Sequence, residues 1–413
     1  MEVKKHQLEI IKDDLKKCLI AYGTGGGKTA IALHLARGKT LIVAPKTQRD
    51  DQNWIREKEK WNLSIDLIVI SKEDLRRDYK ILPVYNSVIF DESHTVCGVT
   101  PNVCYRKKQA IPKTSQVFKA CQEYLERIKP ERIYLLTATP TRNPMAVLAA
   151  GWLLGRQWDF YQWRDTFYIK IPMGRREIWM SKKDKETSER LGKAVQSLGY
   201  TGKLENFVDL PPQVFVTKYL DLSSEQKKRL KEIPMDFPDP LIGALKKHQI
   251  ENGILSGDEF SPAEEFKNEK LAKILDYSEE FPQLVIFARY TAQIAQIASA
   301  LRKEGKKVLI LNGATKNRGE VILEANNSPT CVFIAQVQMS AGFELPNYPC
   351  MVFASLDFSL VNYVQSLGRI SRLNNPKRNL YIHLVAKGGV DEHVYKTVVE
   401  QKMDFHMKIY ERK

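Results

Sequence analysis

Short, unbroken apolar runs recur towards both ends of the chain, each followed by a loop and then a helix-like stretch. In the first third these runs occupy residues 18–21, 40–44, 87–90 and 132–136. None alternates apolar with polar positions, as expected of parallel strands covered on both faces. A second set occupies residues 284–287, 308–311, 332–335, 351–354 and 380–385. Between its first two members, Ile294, Ile297, Ala298 and Leu301 recur at helical spacing and Gly305 marks a stop. Two such sets predict an α/β protein with two doubly wound parallel-sheet lobes.

The middle of the chain departs from this rhythm. Trp152, Trp158, Trp163 and Trp179 fall among basic residues, and residues 167–180 read as a hairpin with Arg175 and Arg176 at its tip. Leu210, Pro211 and Pro212 read as a linker, because paired prolines stop helices and stiffen a connection. The expected organisation is a first lobe at 1–207 with a helical and hairpin insertion at about 144–206, and a linker at 208–213. A second lobe follows at 214–413, with a helical insertion at about 223–275.

The chain has 413 residues, 43% hydrophobic and 27% charged, which excludes a disordered polymer. Its runs are strand-sized rather than membrane-spanning, and Met1 to His6 has no apolar core for a signal peptide, so a cytosolic protein is expected. Lys and Arg number 64 against 49 Asp and Glu, a formal charge of +15 that favours polyanionic partners. The 6 cysteines form no C-x-x-C pair. His94, Cys97 and Cys104 fit no common zinc spacing, and buried thiols are the expectation.

Candidate chemistry starts at Tyr22-Gly23-Thr24-Gly25-Gly26-Gly27-Lys28-Thr29, between a strand and a helix. Glycines let successive N–H groups turn inward around phosphate oxygens at a helix N-terminus. Lys28 then reaches the outer phosphates of a nucleoside triphosphate, and the Thr29 hydroxyl binds Mg²⁺. Asp91 and Glu92 leave the carboxyl end of a strand, where Asp91 suits the Mg²⁺ shell and Glu92 an attacking water. Thr137 and Thr139 suit a γ-phosphate sensor. Arg369 and Arg372, three apart on an expected helix, share a face and suit charge neutralisation on a transferred phosphoryl group.

These residues line up with a known series: the chain resembles helicase superfamily two, and within it the Swi/Snf-like DNA translocases. His6-Gln7 resembles the upstream glutamine that recognises adenine, and Pro45-Lys46-Thr47 with Trp54 and Glu57 resembles motif Ia. Asp91 to His94, Thr137 to Thr139 and Gln365 to Arg372 match motifs II, III and VI. Val285 to Phe287, Asn312-Gly313 and Ser340 to Leu345 match the motifs of the second lobe. Asn143, Asp209-Leu210-Pro211, Leu222 to Gln226, Gln249 and Val390 to Glu392 carry the Swi/Snf-like likeness.

The resemblance implies two RecA-like lobes, ATP and Mg²⁺ as ligands, and movement along DNA, usually 3′ to 5′. It implies ATP contacts from Gln7, Gly23, Thr24, Gly25, Gly26, Gly27, Lys28, Thr29 and Gln365. Nucleic-acid contacts are expected from Lys46, Thr47, Arg289, Asn312, Lys316 and Arg318, and from Arg175 and Arg176 at the hairpin tip. Tyr105 to Lys108, in a long loop, are further candidates. Two departures stand out: Ser93 replaces the usual alanine of motif II, and Phe343-Glu344 alter motif V. The expected protein is a compact, monomeric motor of the bacteriophage or mobile-element kind, acting in DNA replication or recombination. An RNA helicase, a duplex translocase without strand separation and a non-catalytic binding module remain alternatives.

Overall fold

A computed structural model of the chain describes residues 3–23, 25–50, 52–106, 109–140, 143–173, 176–182, 184–202, 212–257, 263–371 and 378–403. The chain divides into two compact units, one on Met1–Phe207 and one on Val208–Asp404.

The strands of the first unit are β1 (Lys17–Tyr22), β2 (Lys39–Ala44), β3 (Asp66–Ser71), β4 (Ser87–Phe90), β5 (Val99–Arg106), β6 (Gln109–Thr114), β7 (Arg132–Leu136), β8 (Tyr168–Met173), β9 (Arg176–Ser181) and β10 (Gly199–Gly202). A 6-stranded sheet runs β10-β1-β7-β4-β2-β3, with every neighbouring pair parallel. Successive residues of its inner strands feed opposite cores. Leu19, Ala21, Val88, Phe90, Ile133 and Leu135 enter one cluster, while Cys18, Ile20, Ile89, Tyr134 and Leu136 enter the other. Burial on both faces explains why these strands carry no polar alternation.

The stretch expected as an insertion also supplies part of this sheet, because β10 pairs with β1 at its edge. The helices Pro144–Leu153 and Lys185–Gln196 add Met145, Leu148, Leu191 and Val195 to the core. β8 and β9 form the expected antiparallel hairpin. Its tryptophan is not turned towards a ligand, however: the Arg164 guanidinium lies 4.3 Å over the Trp179 ring. Trp158 and Trp163 stack at 4.7 Å, so these aromatics cement the unit. The long loop expected after the acidic pair is a second antiparallel hairpin, β5–β6, with Tyr105 exposed on it. Lys107, Lys108 and Arg175 lie outside the described residues.

The second unit holds β11 (Gln213–Leu220), β12 (Ile254–Leu255), β13 (Glu264–Glu265), β14 (Gln283–Ala288), β15 (Val308–Leu311), β16 (Cys331–Gln336), β17 (Cys350–Phe353) and β18 (Asn379–Ala386). Its 6-stranded parallel sheet runs β11-β18-β17-β14-β16-β15. Val285, Phe287, Phe333 and Phe353 face one core and Leu284, Ile286, Ile334 and Val352 the other. Together the two sheets establish the two RecA-like lobes. Among the described residues no helix is long and apolar enough to cross a membrane.

Helices flanking the second sheet are joined by a buried polar network. Asp391 accepts hydrogen bonds from Lys270 Nζ at 2.7 Å, Asn252 Nδ2 at 3.2 Å and the Ala386 N–H at 2.8 Å, and faces His248 Nε2 at 3.0 Å. Lys270 also donates to Asn252 Oδ1 and the Ala354 carbonyl. Glu251 accepts from the N–H groups of Val390 and Asp391. These contacts tie the helices Pro240–Glu251, Glu269–Glu280 and Val390–Tyr395 to the strand ends. Burial raises the Glu251 carboxyl to about 7 and holds His248 below its ordinary value. His383, stacked 4.9 Å from Phe353, is pushed down to about 4 by burial.

Two outcomes follow from this polar interior. Lys270→Met leaves the Asp391 carboxylate buried without its cation and should cost roughly 3–5 kcal/mol in urea unfolding; a loss below about 1 kcal/mol would show that the pair carries little. His383 binds a proton more readily in the unfolded chain. Its stabilisation is therefore complete above pH 6.5 and is lost as pH falls towards 4. His248 acts in the same sense. Glu251 acts oppositely, its contribution being present below pH 4.5 and lost as pH rises through about 7. The stability of His383→Phe, measured against pH, should therefore fall less steeply than that of the parent between pH 6.5 and 4.

Candidate active site

The phosphate loop leaves β1 and ends at the helix Lys28–Leu35. Gly25 and Gly27 take φ of 85° and 75°, the left-handed region that glycine enters without strain. A Cβ on Gly27 would fall 1.9 Å from Gln7 Nε2, so the Gln7 amide lies directly on the loop. Gln7 is buried on the helix Lys5–Asp13, and its Oε1 accepts from the Lys4 N–H at 2.9 Å. His6 Nε2 faces the Gly26 carbonyl at 3.4 Å. This first helix is therefore docked on the loop by two polar side chains. Lys28 Nζ donates to the carbonyls of Tyr22 at 2.8 Å and Gly23 at 3.3 Å, which folds the cation over its own loop. Thr24 lies outside the described residues.

Asp91 and Glu92 follow β4. The Asp91 N–H is held by the Val43 carbonyl at 2.8 Å, continuing the sheet beyond its last residue. Asp91 Oδ1 accepts from the Glu92 N–H at 2.9 Å and Oδ2 from Trp54 Nε1 at 3.3 Å. Burial raises the Asp91 carboxyl, neighbouring Glu92 raises it further, and Lys28 opposes both. Two adjacent carboxylates, a nearby ammonium and the Thr29 hydroxyl form a hard oxygen set that fits Mg²⁺ beside phosphate. The loop glycines leave room for the phosphates themselves.

Glu92 sits at φ 46° and places Oε2 3.2 Å from His94 Nδ1. The same nitrogen lies 3.2 Å from Thr137 Oγ1, which accepts from the Thr139 N–H at 3.0 Å. His94 thus joins the acidic pair to the hydroxyl segment after β7. The role of His94 as that bridge was not assigned from sequence; its position three residues after Asp91 was the available signal. Sequence reasoning also missed the support that Trp54 gives Asp91.

In the second unit the expected arginine helix ends early. The helix Leu360–Leu367 is capped by Gly368, so Arg369 lies beyond it rather than on a shared helical face. Arg369 is buried and donates through Nε to the Gln365 carbonyl at 2.7 Å and through Nη1 to the Phe343 carbonyl. Gln365 is buried on that helix, and Arg372 lies outside the described residues.

The structure brings some nucleic-acid candidates together and leaves others apart. Arg289, after β14, lies over Tyr290 at 5.1 Å and close to His248, which belongs to the buried network. Gln336, at the end of β16, donates to the Arg289 carbonyl at 3.3 Å and accepts from the Gly313 N–H at 3.4 Å. This glutamine, which sequence reasoning did not single out, joins the ends of β14, β16 and β15. Asn312 Oδ1 accepts from the Ala314 N–H at 3.0 Å, shaping the turn that leads to exposed Lys316. Arg318 begins the helix Arg318–Asn327 and donates to the Met339 and Ala341 carbonyls. Lys46 is exposed at the start of the helix Lys46–Asp50; the side chains of Thr47 and Arg176 lie outside the described residues.

Two RecA-like units, one bearing a phosphate loop and an acidic pair, define an α/β chain of the nucleoside-triphosphate-using class. Residues 266–374 match the family model described as helicase conserved C-terminal domain, and this span contains Arg289, Asn312, Arg318 and the segment from Gln365 to Arg372. The match supports a member of helicase superfamily one or two: a nucleic-acid-dependent ATPase of the helicase or translocase type. No curated protein matches the chain.

The packing of Gln7 on Gly27 yields a direct test. Gly27→Ala forces a side chain into the left-handed region, at about 1–2 kcal/mol, and drives its Cβ into the Gln7 amide. Calorimetry should show weaker binding of a non-hydrolysable ATP analogue. Adding Gln7→Ala should recover only the part due to collision; complete recovery would show that the backbone is unstrained.

Proposed function

We propose that this chain is an ATP-driven motor on DNA, hydrolysing ATP to move along duplex or branched substrates and to remodel or unwind them. The observation that carries the reading is the approach of Lys28 to Asp91 and Glu92 at the carboxyl ends of β1 and β4, in a chain whose second unit matches a helicase C-terminal domain. The net charge of +15 and the Swi/Snf-like segments support DNA as the track. A compact phage-type motor serving replication or recombination is the setting that this reading favours.

In this scheme Gln7 contacts the adenine edge, while the N–H groups of residues 23–29 and Lys28 hold the phosphates. Thr29 and Asp91 hold Mg²⁺, which supplies charge neutralisation on the phosphate oxygens. Glu92 orients the attacking water and accepts its proton. His94 carries the state of Glu92 to Thr137 and Thr139. Arg369 and Arg372 neutralise charge developing on the transferred phosphoryl group. Lys46, Thr47, Arg289, Asn312, Lys316 and Arg318 contact the sugar–phosphate track, with Arg175 and Arg176 reaching the duplex from the hairpin.

Phosphate release from Mg²⁺-ATP should be compared without nucleic acid and with single-stranded, duplex and forked DNA and RNA. Duplex or forked DNA should stimulate turnover most. Glu92→Gln should lower kcat by about 10²–10⁴-fold while preserving analogue binding, and Arg369→Ala should abolish the stimulation. Stimulation by RNA alone would replace DNA as the track. Absence of turnover with every nucleic acid would overturn the ATPase reading.

A further inference from the structure

Phe343 is buried in the second unit, with its ring 5.6 Å from that of Phe333 in the core. Two guanidiniums lie over this ring, each 5.6 Å from its centre: that of Arg318 and that of Arg369. The same side chains grip the backbone on which Phe343 sits. Arg318 Nη2 donates to the carbonyls of Met339 at 3.4 Å and of Ala341, while Arg369 Nη1 donates to that of Phe343. Carbonyls of alternate residues 339, 341 and 343 thus accept from the two cations. Gly342, at φ 79°, permits the turn between them, and a Cβ there would lie 3.7 Å from Arg318 Nη2. The Arg369 carbonyl in turn accepts from the Leu345 N–H at 2.9 Å, which closes the loop.

We infer that Phe343 is a positioning residue that couples nucleic-acid contact at Arg318 to the placement of Arg369. The inference rests on the proposed reading of the chain as a DNA-dependent ATPase. A guanidinium can stack through its face while its N–H groups donate in the plane, and the attraction grows where water is excluded. Arg318 and Arg369 therefore share one ring and one loop. When Arg318 turns to a nucleic-acid phosphate, the carbonyls of Met339 and Ala341 lose a donor and the ring loses one cation. The loop and Arg369, bonded to the end of it, must then settle into a new arrangement. Leucine at 343 fills the same apolar place and keeps the carbonyl, but it offers no ring face.

The test uses the full chain and a non-hydrolysable ATP analogue, titrated with and without saturating blunt DNA duplex. The factor by which DNA changes analogue affinity is the coupling, and it must equal the factor by which the analogue changes DNA affinity. The wild type should show coupling of roughly 5–150-fold. Phe343→Leu should bring it to within about twofold of unity while each separate affinity stays within about threefold, and Phe343→Tyr should retain it. Adding Arg318→Ala to Phe343→Leu should remove no further coupling. Should leucine fail to give a folded chain, Phe343→Met serves instead. Full coupling in the leucine or methionine variant overturns the inference, as does equal loss in the tyrosine variant. A wild type without DNA-stimulated hydrolysis overturns the functional reading itself and is recognised before any substitution is made.

Discussion

A parallel sheet covered on both faces leaves polar chemistry one outlet, the loops beyond the carboxyl ends of its strands. That constraint organises both units. In the first, β1 delivers the phosphate loop, β2 leads to Lys46, β4 to Asp91 and Glu92, and β7 to Thr137 and Thr139. In the second, β14 leads to Arg289, β15 to Asn312, and β16 to Gln336 and the loop carrying Phe343. Because neighbouring strands run in one direction, loops distant in sequence meet along one edge of the sheet. His94 reaches Thr137 for this reason, and Gln336 reaches both Arg289 and Gly313.

The polar interior of the second unit serves placement more than stability. Charges such as those of Lys270 and Asp391 lose much of their mutual attraction to desolvation, so a buried pair adds little net stability over apolar packing. What the network does is specify which helices meet: its partners come from three helices and the ends of β17 and β18. One end of it reaches function, since His248 lies within 2.7 Å of the Tyr290 hydroxyl and beside Arg289. A candidate nucleic-acid cation is therefore oriented by a rigid interior instead of by a solvated loop.

Arg318 and Arg369 show the same economy at shorter range. Neither is an isolated surface charge; each spends N–H groups on loop carbonyls and its face on the Phe343 ring. Such a loop has few arrangements that satisfy all its acceptors, because an abandoned buried carbonyl is costly. Two discrete arrangements, rather than continuous deformation, are what packed loops of this kind allow.

The amino-acid sequence by itself determined the two buried parallel sheets, because unbroken apolar runs such as residues 284–287 can be satisfied only between two cores. It also determined the phosphate loop, the acidic pair and their order along the chain, since those chemistries need fixed local spacings. The edge strands β3, β10 and β11 were not legible: Gly199-Tyr-Thr-Gly202 is a strand only because β1 offers it a partner. Nor was the end of the helix before Arg369, where Gly368 and the Phe343 carbonyl take over from helical pairing. The bridging by His94, the support from Trp54 and the two guanidiniums over Phe343 all join residues 20 or more positions apart or on different strands. Only tertiary structure decides such contacts, because side-chain chemistry fixes what a residue can bind while the fold fixes what it meets.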